Sequence, residues 1–111
     1  MIQKDNAEHY KWGNNCDGWH LVKSREMSVI QERMPPGTFE SRHYHEFSNQ
    51  FFFVLSGEAE LELNGIIHNL TSQQGLHVPK GMPHQIKNNG FNALEFIVTS
   101  VPISHGDRIE V

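Results

Sequence analysis

The sequence of 111 residues has a single cysteine, Cys16, and it lacks both long apolar runs and runs of Lys or Arg. One cysteine forms no disulfide within the chain and is typical of a reducing compartment, so we expect a cytoplasmic protein. The first nine residues contain no apolar segment of a secretion signal, and nowhere do about eighteen apolar residues run together, so we expect no membrane partner. A net charge of -4 without a basic run also argues against binding to nucleic acid.

The length of the chain is near the common size of one domain, and we expect a single domain over residues 1–111. A globule of this size buries roughly two thirds of the surface of its unfolded chain, so it folds without a metal or a disulfide to hold it together. A metal site in this chain is therefore expected to serve function rather than stability.

Short β-rich runs separated by turn residues recur along residues 28–99, and no helical apolar period is sustained there. The pattern predicts an all-β sandwich or closed barrel. Asn64-Gly65, between two such runs, is typical of a β-hairpin turn. We expect an aromatic-rich arm and a first strand in residues 1–27, the barrel core in 28–99 and a polar tail in 100–111. The predicted core strands are 28–34, 40–45, 50–55, 58–63, 66–70, 76–78, 84–87 and 93–99.

Histidine is unusually common, with eight residues against nine Lys and Arg together. His43 and His45 are two residues apart on a predicted strand, so both side chains point to the same face, about 6 to 7 Å apart at the backbone. Gln50 opens the following strand, where its side chain can return beside this pair. His84 follows the rigid turn Pro79–Pro83, which would direct its imidazole inward. Together these side chains form a candidate metal site.

This arrangement resembles the cupin superfamily, whose small double-stranded β-helix (jelly-roll) barrels hold a divalent metal. Two motifs with the cupin spacing carry the resemblance, which spans residues 28–99 at least. The first motif is matched by Gly37, His43, His45, Gln50 and Gly57. The second is matched by Gly75, Pro79, Gly81, His84 and Asn88, with Gly75 somewhat closer to Pro79 than is usual. The resemblance implies a jelly-roll fold and one divalent metal per chain, bound by His43, His45, Gln50 and His84.

Gln50 departs from the family pattern, which usually has Glu at this position. A neutral amide oxygen leaves the full charge of +2 on a divalent ion, so an anionic substrate is favoured. The same combination of three His and one Gln occurs in cupins that linearise unsaturated uronates, and only this ligand pattern carries over to the present chain. Three imidazoles suit Fe, Mn, Ni, Zn and Cu to differing degrees, so the identity of the metal stays open. One or two open coordination positions would remain for water or substrate.

The tail contains the other candidate site residues. After a glycine hinge at Gly106 the segment can fold over the barrel mouth, where Arg108 would contact a carboxylate and His105 or Asp107 would act as acid or base. The alternative is an exposed tail with an Asp107-Arg108 surface pair. His77 is a candidate for a position beside the metal ligands or for a structural residue, and we interpret His20 as structural.

Several functions remain open at this stage. The first is a metal-dependent enzyme acting on a small oxygen-rich anion, such as a sugar acid that undergoes isomerisation or ring opening. An Fe-dependent dioxygenase is the alternative within enzymes, and a non-catalytic module that binds a sugar or small metabolite is the alternative outside them. The aromatic arm and the run Phe51-Phe52-Phe53, which offers apolar side chains to both faces of its strand, favour a homodimer.

Overall fold

The computed structural model describes residues 1–111 as eleven β-strands without a helix. Consequently no helix is long and apolar enough to cross a membrane. One antiparallel sheet has the order β1-β2-β3-β10-β5-β8 and the other β11-β4-β9-β6-β7. The all-β prediction is confirmed. The strands are β1 (Glu8–Trp12), β2 (Cys16–Lys23), β3 (Ser28–Met34), β4 (His43–His45), β5 (Asn49–Ser56), β6 (Ala59–Leu63), β7 (Ile66–Leu70), β8 (Gly75–Val78), β9 (His84–Lys87), β10 (Leu94–Val101) and β11 (Arg108–Glu110).

The hydrophobic core lies between the two sheets. Alternate residues of β5 and β10 are buried on the first sheet, and they meet Leu61 and Ile86 from the second. Phe52 and Phe96 stack with ring centroids 5.8 Å apart. Period-two burial of this kind results when one face of a strand packs on the core and the other meets solvent.

The Asn64-Gly65 hairpin forms as the sequence predicts. Leu63 pairs with Ile66, and both turn residues have positive φ angles, 50° at Asn64 and 90° at Gly65. A two-residue turn of this type needs positive φ at both positions, which Asn and Gly adopt readily. The Gly65 N–H also donates to a Glu62 carboxylate oxygen at 2.8 Å.

The N-terminal region is more regular than the expected arm, because β1 and β2 form a hairpin that extends the first sheet. Asp17 is buried in this hairpin and accepts contacts from Lys11 at 2.8 Å and His9 at 2.7 Å. These cross-strand partners compensate its buried charge. The hairpin brings Tyr10 and His20 toward the barrel interior.

The C-terminal tail also differs from the expectation. β10 continues to Val101, and β11 pairs antiparallel with β4, which places Arg108 opposite His45 and Glu110 opposite His43.

Another difference from the expectation concerns residues 40–42, which we expected in the strand that contains His43. Glu40 instead bonds through its N–H to the Ile86 carbonyl at 3.2 Å, outside the regular strand.

Candidate metal centre

Three imidazoles converge inside the barrel. His43 and His45 lie on the same face of β4, and His84, the first residue of β9, is paired directly with His43. The turn before β9 is fixed by the Gly81 N–H, which donates to the His45 carbonyl at 2.7 Å. The three histidines are buried, and one ring nitrogen of each lies within 4.8 Å of the others. This spacing suits coordination of a single ion.

Hydrogen bonds orient each ring by its Nδ1 atom. Nδ1 of His43 lies 2.8 Å from the Ser41 carbonyl, and Nδ1 of His84 lies 3.0 Å from the Met82 carbonyl. Since a carbonyl only accepts, each Nδ1 carries the proton, and the lone pair is on Nε2. The Nε2 of His84 is buried and has no hydrogen-bond partner. An unpaired acceptor in this position is available to a metal ion.

His45 is held by a carboxylate instead of a carbonyl. Its Nδ1 lies 2.7 Å from an Asp107 oxygen, and the other Asp107 oxygen accepts from the N–H groups of Phe47 and Ser48 at 3.1 and 3.0 Å. Asp107 therefore lies behind the imidazole. A carboxylate in this position fixes the tautomer and raises the basicity of the ligand nitrogen.

Gln50 lines the same cavity as His43 and His45. Its Nε2 is 3.0 Å from the Ser100 hydroxyl oxygen, and its Oε1 is buried without a hydrogen-bond partner. A buried polar atom without a partner costs about 1 to 3 kcal/mol. A divalent cation bound by the three imidazoles and the Gln50 oxygen would satisfy the unpaired atoms of Gln50 and His84, and this donor set suits Zn, Cu, Fe and Ni. The residues present therefore fit the metal that the sequence predicts.

Burial also keeps the imidazoles of His43 and His84 neutral. Loss of solvent lowers the pKa of His43 to about 3 and lowers the pKa of His84 in the same direction, although hydrogen bonds to Ser41 and Met82 oppose these shifts. Neutral imidazole is the form that binds metal.

His43, His45 and Gln50 line a cavity of about 250 Å³, which we call the histidine cavity, and His84 lies beside the two histidines. Two carboxyl groups, Glu32 from β3 and Glu40, also line it. Burial raises the pKa of Glu32 to about 7 and that of Glu40 to about 8. The Tyr10 hydroxyl donates to Glu32 at 3.3 Å, and the Ile86 N–H donates to Glu40 at 3.2 Å. Both carboxyl groups can exchange protons near neutral pH.

Glu32 and Glu40 were not predicted from the sequence as site residues. The pattern of β3 contains an indication for Glu32, because it shares the parity of Ile30 and Met34 and therefore belongs to the inward face. An acid on the apolar face of a strand is unusual enough to mark a functional residue. We expected Glu40 in the strand that contains His43, where alternation places its side chain on the opposite face, but in the structure it precedes β4, so this alternation does not apply.

The other predicted residues lie in different places. Arg108 lines the histidine cavity, and it donates to Glu110 at 3.0 Å and to the Ser41 carbonyl at 3.3 Å. His105 is exposed at the rim of the cavity. His77 is exposed on β8 opposite Phe51, so it lies on the outer face of the sheet and away from the metal ligands.

The sequence profile of the cupin domain matches residues 30–100. This chain belongs to the cupin family. Its fold agrees with that assignment, since an RmlC-like cupin from Shewanella frigidimarina superposes with a TM-score of 0.86 at 20% identity over 95% of this chain and 92% of that one. The predicted double-stranded β-helix is thereby confirmed.

Curated relatives of the cupin match it over part of their length. SchB of Streptomyces halstedii is 40% identical over 55 residues, which are 50% of this chain and 40% of that protein. The polyketide synthase protein CurC of Streptomyces cyaneus is 34% identical over 71 residues, which are 64% of this chain and 46% of that protein. The cupin thus aligns with less than half of the length of these relatives.

Proposed function

We propose that this cupin is a metal-dependent enzyme that moves a proton within a small substrate bearing adjacent oxygen atoms, such as a sugar acid undergoing isomerisation or ring opening. The observation that carries the proposal is that one cavity joins a three-histidine cluster to two carboxyl groups that titrate near neutral pH. One divalent metal per chain, bound by His43, His45, His84 and Gln50, would act as a Lewis acid on a substrate oxygen.

Proton transfer is the part of the reaction that the chain's own side chains perform. A general acid or base works best when its pKa is close to the working pH, and Glu32 and Glu40 meet this condition. The deprotonated carboxylate would remove a proton from carbon beside a carbonyl, and the protonated carboxyl of the pair would return one to oxygen or to the neighbouring carbon. The Tyr10 hydroxyl, bonded to Glu32, holds that carboxyl in place.

The charges that surround the histidine cavity favour an anionic substrate. Gln50 contributes no negative charge, so a bound divalent ion would retain its full +2, and Arg108 adds a guanidinium on the same cavity wall. A carboxylate that meets both a metal and an arginine gains charge-assisted contacts. At pH 7 Glu40 is largely protonated and Glu32 about half protonated, so together they oppose this attraction less than two carboxylates would.

Deuterium incorporation tests the proposal. Protein loaded with Mn(II), Fe(II) or Zn(II) is incubated in D₂O with a panel of sugar acids, and the recovered compounds are analysed by mass spectrometry and NMR. We expect incorporation or ring opening that Glu40→Gln and Glu32→Gln each abolish, and a double variant, His43→Ala with His45→Ala, that loses the metal but keeps the fold. Oxygen uptake would indicate a dioxygenase instead, and ligands bound but recovered unchanged and unlabelled would indicate a binding module.

A second candidate substrate class is a polyketide-derived β-dicarbonyl, because the relative CurC is a polyketide synthase protein. Such a compound also presents two neighbouring oxygen atoms and an acidic carbon between them. Ring closure of a synthetic poly-β-ketone, followed by absorbance, would distinguish this class from sugar acids if it depends on Glu40.

We also propose that the cupin acts as a homodimer in the cytoplasm. Phe51 is exposed on the outer face of β5 and stacks on Phe53 with ring centroids 6.2 Å apart, an apolar surface that a second copy would cover. Sedimentation of Phe51→Ser beside the wild type tests this, since a dimer held by this surface would dissociate.

A further inference from the structure

A second cavity, of about 420 Å³, lies beside the histidine cavity. Its walls are the β1–β2 hairpin, the first half of β3 and the segment that precedes β11. The two cavities adjoin, because four residues line both of them. The shared residues are Tyr10, Ile30, Ser104 and His105.

Tyr10 forms the partition between the cavities. Its ring lies directly over Gly18 of the neighbouring strand, where a Cβ atom would overlap the ring. The absence of a side chain at Gly18 therefore allows the ring to lie flat on the hairpin, and the hydroxyl at its end reaches Glu32. A molecule in the second cavity would pass the edge of Tyr10 to reach the reacting groups.

The walls of the second cavity are mostly flat and apolar. Ile30 and Ile103 contribute aliphatic surface, and the rings of Tyr10 and His20 lie 5.0 Å apart at a tilt of 36°. Aliphatic and aromatic walls of this kind bury planar rings well, since ring faces prefer offset or tilted contact with other rings.

The polar groups in this cavity suit a neutral ligand. His20 Nδ1 is buried and has no hydrogen-bond partner, while burial lowers the pKa of His20, so the ring is uncharged at neutral pH. Lys23 lines the cavity, and Glu8 pairs with it at 3.2 Å, which offsets its charge. No Asp or Glu lines the cavity, in contrast to the histidine cavity. A hydroxyl or carbonyl on a ring would satisfy His20 without bringing in charge.

We propose that the second cavity binds the distal ring of a substrate whose oxygen-bearing end lies in the histidine cavity. The substrate class is then an aromatic or fused-ring compound with adjacent oxygen atoms at one end. This inference rests on the proposed function, because that function defines which end of the substrate reacts.

Three ligands that share a metal-binding end but differ in a distal ring test the proposal. Salicylate provides the carboxylate and hydroxyl end alone, and 4- and 5-phenylsalicylate add a ring to it. Their affinities are measured by calorimetry with the Zn(II)-loaded protein. We expect at least one phenylsalicylate to bind ten-fold or more tightly than salicylate.

Substitutions show whether the tighter binding of the phenylsalicylates depends on the second cavity. Ser28 is buried and lines the second cavity, so Ser28→Phe should fill it and reduce the ratio of phenylsalicylate affinity to salicylate affinity below about three-fold. Val29→Phe adds the same ring on the opposite face of β3 and should keep the advantage. Ile103→Phe fills the cavity from the other wall and gives a second measurement if Ser28→Phe fails to fold.

The proposal is overturned if both phenylsalicylates bind no more tightly than salicylate or do not bind at all, or if their advantage survives in folded Ser28→Phe or Ile103→Phe. If the proposed function is wrong, the experiments give a different result. Absence of deuterium incorporation with a phenyl advantage that Ser28→Phe removes would leave the second cavity as a ring-binding site on a protein that does not transfer protons.

Discussion

Gln50 determines the charge of the candidate metal centre. Ser100, opposite Gln50 in the sheet register, holds the amide nitrogen, and this leaves the amide oxygen as the free donor toward the cavity. The pair is buried, so the amide cannot exchange its partner for water. A Glu at this position would make one ligand anionic, so the neutral side chain of Gln50 leaves the site one unit more positive.

Gln50→Glu should bind divalent metal more tightly and anionic ligands more weakly, because the carboxylate lowers the net charge of the site by one. Metal affinity is measured by competition with a chelator, and anion affinity by titration with a sugar acid. Asn49→Asp is the matched control, since it adds the same charge at an exposed position one residue away. If anions bind equally well to wild type and Gln50→Glu with metal bound in both, the argument for an anionic substrate fails.

Arg108→Ala should weaken binding of a carboxylate ligand by roughly 1.5 to 3 kcal/mol, the usual contribution of a charge-assisted hydrogen bond. The melting temperature should change little, because the Arg108 pair with Glu110 is exposed and such pairs contribute about 0 to 1 kcal/mol. Titration and melting of both proteins separate the two effects. A lower melting temperature with unchanged affinity would show that Arg108 only secures β11.

At the scale of the element, β11 connects the tail to the candidate metal centre. Its pairing with β4 brings Asp107 behind His45 although the two are 62 residues apart in sequence. The strand has three residues, all exposed, so its own packing contributes little. Its effect is to position one carboxylate.

Asp107→Asn should reduce metal affinity about ten- to hundred-fold, the usual loss when the carboxylate behind a histidine ligand is removed. The amide keeps one accepting oxygen where the carboxylate used two, so His45 and the N–H groups of Phe47 and Ser48 compete for it. Glu110→Gln, exposed on the same strand, is the control for the lost charge.

Removal of residues 108–111 tests the strand itself, because Asp107 remains while its pairing with β4 is lost. We expect metal affinity to fall in the truncated protein even though every proposed ligand is present. Wild-type affinity in both Asp107→Asn and the truncated protein would contradict the positioning role.

Burial patterns explain which elements could be predicted. β3, β7 and β9 have the predicted bounds, because turn residues bound each of these short runs. β1 and β11 are mostly exposed, and without a buried face they show no apolar alternation. The convergence of His43 with His84 was predicted from one local spacing, one rigid turn and the resemblance to the two cupin motifs. Asp107 behind His45 was not, because it depends on pairing between distant segments.

At the scale of the whole molecule, the fold buries ionisable groups whose effects on stability have opposite signs. His43 has a lowered pKa, so its contribution makes the protein more stable as pH rises from about 3 to 6.5. Glu32 and Glu40 have raised pKa values, so their contributions make it less stable as pH rises above 4.5. The buried carboxyl groups reduce stability at the pH where the proposed chemistry needs them.

Glu32→Gln should therefore stabilise the metal-free protein increasingly as pH rises from 5 to 7.5. Between 4.5 and about 7 the folded protein holds a proton on Glu32 that the unfolded chain has released, so wild type loses stability over this range. Gln has no proton to lose. The full effect is on the order of 3 kcal/mol, since the pKa of Glu32 rises from 4.5 to about 7 and each pKa unit corresponds to about 1.4 kcal/mol.

Melting curves of both proteins across this pH range, with chelator present, measure the difference. The groups that face Glu32 are Tyr10, Arg108 and Glu40. Burial raises the pKa of Tyr10, so its hydroxyl stays neutral across this range. Glu40 titrates near 8, so its effect falls mainly at the upper end of the range.

Glu58→Gln, which removes an exposed carboxylate, controls for the change in net charge. A difference in melting temperature that stays constant from pH 5 to 7.5 would mean that Glu32 is ionised throughout, and Glu32 would then carry no exchangeable proton near neutral pH.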